Sequence, residues 1–144
     1  MERRERHVLI VEDEPVMAEV ALRVFQEPPP WHTFWVRDGE EALQFLLKET
    51  PDYAEAWTPD IVLLDHFLPK RAGFDVLRKL KNHPKLRLIP VVIWAISMAE
   101  EDVIEAYELG AAAYIPKPAA LTELWEQVRQ VRRFWEQALF PVPR

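Results

Sequence analysis

Three short runs of almost unbroken apolar residues constrain this chain most: Val8-Leu9-Ile10-Val11, Ile61-Val62-Leu63-Leu64, and Val91-Val92-Ile93-Trp94. A strand that is apolar on both sides must be buried on both faces, as inside a parallel sheet covered by helices. The segments between these runs carry the helices. Residues 16–27 place Val16, Val20, Val24 and Phe25 at helical spacing, with Pro15 at the first turn and Pro28-Pro29-Pro30 as an abrupt stop. Thr33–Val36 reads as a short strand, and Asp38-Gly39-Glu40-Glu41 opens a helix with Ala42, Leu43, Leu46 and Leu47. Residues 50–59 read as a loop or short turn, and 73–82 as a helix with Phe74, Leu77 and Leu80 inward. Ile89–Trp94 is the fourth strand. A helix over 99–109 is closed by Gly110, Ala113–Ile115 is a short fifth strand, and the last helix runs over 119–138.

Five strands alternating with five helices predict an α/β, doubly wound parallel sheet with helices on both faces. The matching strand order is 2-1-3-4-5, which aligns the carboxyl ends of strands one, three, four and five along one rim. At 144 residues the chain is expected to form one domain, with a core over about 7–138, a short tail at 139–144 and no output domain.

The strand ends carry the chemistry. The first strand runs into Glu12-Asp13-Glu14-Pro15, and the third ends in Asp65. Carboxylates gathered on one rim repel and resist ionising together unless a cation compensates. Oxygen-only donors of this kind suit Mg²⁺, which also accepts phosphate oxygens. A carboxylate beside Mg²⁺ can attack a phosphoryl group and become an aspartyl phosphate. The fifth strand ends near Lys117-Pro118, so an ammonium stands on the same rim to meet phosphoryl oxygens.

Composition removes several alternatives. With no Cys there is no disulfide, thiolate chemistry or Cys-based metal site. A net charge of −6 without a basic stripe gives nucleic-acid binding little support. Three scattered glycines cannot build a Gly-rich phosphate cradle. No apolar stretch reaches membrane-spanning length, and the mixed-charge start Met1-Glu2-Arg3-Arg4-Glu5-Arg6-His7 lacks a signal-peptide core. A cytoplasmic location is the resulting expectation.

In this order of pieces the chain closely resembles the receiver domain of two-component response regulators. The pieces are Val11-Glu12-Asp13-Glu14, Asp38-Gly39-Glu40-Glu41-Ala42-Leu43, Asp65-His66-Phe67-Leu68-Pro69, Gly73, Ile89-Pro90-Val91-Val92-Ile93, Leu109-Gly110-Ala111 and Tyr114-Ile115-Pro116-Lys117-Pro118. The resemblance implies that Asp65 accepts a phosphoryl group from a phosphohistidine on a sensor histidine kinase. It implies Mg²⁺ bound by Asp13 and Asp65, with Glu12 acting through a water and the Phe67 main-chain carbonyl adding an oxygen. Lys117 would pair with the phosphoryl group, the Lys117–Pro118 bond would be cis, and Tyr114 would be the aromatic that swings inward on activation. Leu68-Pro69-Lys70 and Arg133-Phe134-Trp135 before a Pro-containing tail narrow the likeness to stand-alone regulators paired with bacterial phytochromes.

One position departs from that pattern. Receivers place Thr or Ser at the end of strand four, where this chain has Ala95, followed by the bulky Ile96. A hydrogen bond to a charged group contributes about 1.5–3 kcal/mol, whereas a full two-state switch requires roughly 5.5 kcal/mol. The missing hydroxyl therefore bears on the readout, with Ser97 the hydroxyl that could compensate, while the transfer groups are all present. A phosphate-independent docking module is the competing reading. A hydrolase passing through an aspartyl phosphate is a third, but it needs an acid/base Asp two residues after the nucleophile, and Phe67 stands there. The same Phe67 predicts a long-lived phosphoryl state. The last helix carries Leu121, Leu124, Trp125, Val128, Val131, Trp135 and Leu139 mostly at spacings of three and four, and most of that stripe is expected to face the sheet. Trp125, Phe134, Trp135 and Phe140 are candidates for a homodimer interface, since aromatics left wet favour interfaces. The alternative is that these end rings fold back under Pro28-Pro29-Pro30-Trp31.

Overall fold

The computed structural model describes residues 5–68 and 72–141. Strands β1 (His7–Val11), β2 (His32–Val36), β3 (Ile61–Leu64), β4 (Val91–Ala95) and β5 (Ala113–Pro116) form one parallel sheet in the order β2-β1-β3-β4-β5. The register pairs Val8 with Ile61, Val62 with Val91, and Val92 with Ala113. Helices α1 (Pro15–Gln26), α2 (Gly39–Leu47), α3 (Gly73–Lys81), α4 (Glu100–Glu108) and α5 (Leu121–Glu136) cover it.

Alternate residues of each strand serve opposite faces. Leu9, Val62, Leu64 and Ile93 pack with Leu43 and Leu46 of α2, Phe74, Leu77 and Leu80 of α3, and Ala106 of α4. Val8, Ile10, Leu63, Val92 and Trp94 pack with Val20, Val24 and Phe25 of α1 and Leu124 and Val128 of α5. All four residues of β3 are buried, as its apolar sequence requires.

Local chemistry sets the boundaries. Asp38 caps α2 by accepting the Glu41 N–H at 2.7 Å, and Pro15 opens α1 where no intrahelical N–H is needed. Gly110 follows α4 in the left-handed region, at φ +102°. Strand four begins at Val91 rather than Ile89. Pro90 has no N–H for the ladder, and the Ile89 carbonyl is taken by Lys81 Nζ at 2.8 Å. The last helix starts at Leu121 and ends at Glu136, inside the expected limits.

Two expectations are corrected. Lys117–Pro118 is trans, the lower-energy form of an X–Pro bond; the cis bond among the described residues is Pro28–Pro29. Trp135 and Phe140 do not stand clear of the chain: their rings stack at 6.1 Å, and Phe140 meets the edge of buried Trp31 at 6.4 Å. Apolar rings recover more burial against an existing core than in water. Pro69 and Lys70 of the subtype motif, and residues 142–144 of the tail, lie outside the described residues.

Candidate functional site

Adjacent parallel strands carry their ends to a common rim. The Asp65 N–H donates to the Val11 carbonyl at 2.9 Å, so β1 and β3 run side by side up to the first carboxylates. The Lys117 N–H donates to the Ala95 carbonyl at 2.8 Å, which brings the end of β5 to the end of β4. Glu12 is fully buried, Asp65 is buried and Asp13 is exposed at the rim. One carboxylate oxygen from each lies within 4.8 Å of the others.

Lys117 enters this group as a buried cation. Its Nζ is 2.6 Å from Glu12 Oε1 and 3.3 Å from Asp65 Oδ2, and its side chain is 4% exposed. The ammonium also sits 5.2 Å from the centre of the Trp94 ring. One cation faces three carboxyl groups, so the cluster carries surplus negative charge. Glu12 registers this. Burial, followed by the charge of Asp65, raises its carboxyl to about 7 against the opposing pull of Lys117. Among the described residues, Glu12 Oε1 has the Lys117 ammonium as its one polar contact, and Oε2 accepts the Glu14 N–H at 3.1 Å. A buried, oxygen-rich pocket with an under-satisfied carboxylate fits a hard divalent cation.

The Asp65 side chain is aimed by its own loop: Oδ1 accepts the Phe67 N–H at 3.1 Å. This places the Phe67 main chain beside the cluster, while the Phe67 ring is 55% exposed. Gly73 fixes the loop from below. A Cβ there would lie 2.2 Å from the Asp65 carbonyl oxygen, so no side chain fits. Its N–H donates to the His66 carbonyl at 2.9 Å.

Ala95 is fully buried and offers no hydroxyl, and Ile96 beside it is 74% exposed. The Ser97 hydroxyl is committed elsewhere, donating to Asp102 Oδ2 of α4 at 2.7 Å. Tyr114 is turned toward the same segment, donating from its hydroxyl to the Ser97 carbonyl at 2.9 Å. Burial raises the Tyr114 hydroxyl above its ordinary value, so it stays a donor. His66 stacks on Phe74, ring centres 3.7 Å apart, with Nε2 3.7 Å from Asp102 Oδ1. Asp102 is thus more than the solvated start of α4: it faces both Ser97 and His66.

The structure therefore brings Glu12, Asp13, Asp65, Lys117 and the Phe67 main chain together, with Ala95 and Tyr114 beside them. Trp125, Phe134, Trp135 and Phe140 lie on and after α5, away from this rim. Phe134 is 64% exposed, whereas Trp125 is half-buried with Arg129 over its ring at 5.5 Å. Sequence reading missed Trp94 beneath Lys117 and the Asp102 contacts. An apolar run offers no sign of which ring meets a cation, and an acidic helix start resembles ordinary dipole compensation.

Residues 8–129 match the response regulator receiver domain. The chain is 35% identical over 129 residues to response regulator Rcp1 of Synechocystis sp., covering 89% of this chain and 87% of that protein. The phosphorylated cyanobacterial phytochrome response regulator RcpA superposes with a TM-score of 0.92 at 34% identity, over 96% of this chain and all (100%) of that one. The Mn²⁺-bound form of Rcp1 gives 0.90 at 33% identity, over 95% of this chain and 99% of that one.

Proposed function

Because the chain belongs to the response regulator receiver domain family, we propose that it accepts a phosphoryl group on Asp65 from a sensor histidine kinase. The observation that carries this reading is the buried Lys117 ammonium held between Glu12 and Asp65. A carboxylate oxygen of Asp65 attacks the phosphorus of the kinase phosphohistidine. The new P–O bond forms as the P–N bond breaks, and the imidazole leaves with the bonding pair and takes up a proton from solvent. Lys117 moves from its ion pair onto the incoming phosphoryl oxygens, a charge-assisted contact that also orders the end of β5. Receiver domains bind a divalent metal, and here Glu12, Asp13 and Asp65 with the Phe67 carbonyl would hold Mg²⁺. When bound, the ion neutralises the carboxylates and the phosphoryl oxygens.

The transfer machinery and the readout come apart in this chain. Every group for transfer is present, whereas Ala95 supplies no hydrogen bond to the phosphoryl group. Phe67, two residues after the nucleophile, offers no acid or base to an attacking water, so Asp65 catalyses its own phosphorylation and then only slow hydrolysis. Similarity to regulators described as phytochrome or red-light signalling proteins favours a phytochrome-type kinase as the partner. A cytoplasmic site of action, a single receiver domain over 1–144 and a homodimer over the α5 face complete the reading. No described helix is long and apolar enough to cross a membrane.

Intact mass after incubation with Mg²⁺ and acetyl phosphate tests the reading. One phosphoryl group should appear on the wild type and none on Asp65→Ala. If the wild type gains no mass from the small donor or from a cognate kinase, the phosphate-independent docking module, which Ala95 favours, takes its place.

A further inference from the structure

A second cluster of metal-ligating side chains lies at the opposite end of β1 from the acidic cluster. His7 and His32 open β1 and β2 and are partners in the parallel register. Partners on adjacent strands project to the same face, and the two rings stack with centres 4.7 Å apart and planes at 16°. Glu5 reaches the same place, its Oε2 3.0 Å from His32 Nε2. One donor atom from each of Glu5, His7 and His32 lies within 4.8 Å of the others.

Behind His7 stands a supporting carboxylate. Asp60, 4% exposed at its side chain, lies 3.6 Å from His7 Nδ1 through Oδ2, which also accepts the His7 main-chain N–H at 2.9 Å. At 3.6 Å the ring contact is an ion-pair distance and not a hydrogen bond, so Asp60 would have to close onto Nδ1 to orient an imidazole whose other nitrogen binds metal. Trp57 packs against the His7 ring at 4.9 Å and holds it in place.

We infer that Glu5, His7 and His32 form a site for a divalent transition ion of the Zn²⁺ class, separate from the acidic cluster. Two imidazoles and one carboxylate are a donor set that Zn²⁺ uses with a position left open. Imidazole donors select Zn²⁺, Ni²⁺ or Cu²⁺, whereas Mg²⁺ requires the oxygen-rich cluster at the other end. Bonds of about 2.0–2.2 Å need donors closer than they now stand, with lone pairs that converge. His7 is fixed, while the side chains of His32, 48% exposed, and Glu5, 78% exposed, have room to turn inward. This inference stands independently of the phosphoryl reading.

Calorimetric titration of Zn²⁺ into the full chain carrying both Asp13→Asn and Asp65→Asn, which strip two of the three carboxylates from the acidic cluster, isolates the site. One Zn²⁺ per chain is expected. His32→Gln or Glu5→Gln in that background should weaken binding by tenfold or more, and both side chains are exposed enough for the variants to fold. Absence of Zn²⁺ binding to the doubly substituted chain would overturn the site. So would an affinity unchanged by both further substitutions, or Mg²⁺ binding as tightly as Zn²⁺.

Discussion

With its side chain fully buried and Asp65 beside it, Glu12 keeps its proton up to about pH 7. A carboxylate that holds the ion, directly or through a bound water, must be ionised, so each divalent ion bound here displaces that proton below about pH 7. Metal affinity should therefore rise by about tenfold per pH unit up to that point and level off above it. Mg²⁺ titrations at several pH values check this, and Glu12→Gln should flatten the profile. The same proton sets a stability trend. The folded carboxyl titrates near 7 and the unfolded one near 4.5, so the native state binds more protons between them. Metal-free stability should fall as pH rises through that window, and Mg²⁺ should restore it at the alkaline end. Ala95 gives the next test at the level of one residue. The Ser97 hydroxyl is engaged with Asp102 and cannot substitute for the missing one in this arrangement. Ala95→Thr should restore a hydrogen bond of about 1.5–3 kcal/mol to the phosphoryl group. Phosphorylation should then shift the Tyr114 resonances more in that variant than in the wild type. Equal shifts would mean that the readout bypasses position 95.

Helix α1 stops at Gln26, and the three prolines after Glu27 cannot supply the N–H groups that would satisfy carbonyls on and after its last turn. A buried arginine from α5 fills that need: the Arg132 guanidinium donates to the carbonyls of Val24, of Glu27 at 2.9 Å and of Pro29 at 2.7 Å. These contacts tie the two helices on one face of the sheet at their ends. Arg132→Met keeps most of the apolar stem but removes the guanidinium from the Glu27 and Pro29 carbonyls, while Val24 retains the Glu27 N–H, and should cost about 2–4 kcal/mol. Thermal unfolding should show a fall of several degrees, with acetyl-phosphate labelling of Asp65 preserved. An unchanged melting temperature would mean that water satisfies those carbonyls equally well. Arg132 also marks the limit of what elements reveal in sequence. The inner strands β1, β3 and β4 were legible because burial on both faces demands unbroken apolar runs, and Glu12, Asp13, Asp65 and Lys117 were legible because they follow strand ends. Arg132, the close approach of Gly73 to the Asp65 carbonyl and the Ser97–Asp102 pair were not. Each acts across a tertiary contact, whereas periodicity reports only which face of its own element a residue occupies. The start of β4 was missed for a different reason, since apolar character continues through Ile89 and Pro90 where the hydrogen-bond ladder does not.

For the molecule as a whole, the fold-back of Trp135 and Phe140 changes which rings are available to a second copy. Those two contribute to this chain's own core through Trp31, so truncation after Arg133 would remove an internal contact together with any external one. Phe134 is the ring left outward, 64% exposed, its edge against Trp135 at 5.0 Å. It borders an apolar groove with Ile115 and Val131, next to the outer strand β5. A two-fold contact would bury the same ring from both copies, and a central aromatic is where interface energy concentrates. Phe134→Asp changes little inside the chain but places a desolvated charge at such a contact. If the α5 face dimerises the protein, light scattering should give a dimer for the wild type and a monomer for Phe134→Asp, with the melting temperature changed by no more than the loss of an oligomer explains. A wild-type monomer at high protein concentration, phosphorylated or not, would remove the dimer from the proposed function. The open groove would then face a partner of another kind, and the transfer chemistry of Asp65 would stand unaltered, because no residue of the acidic rim lies on α5.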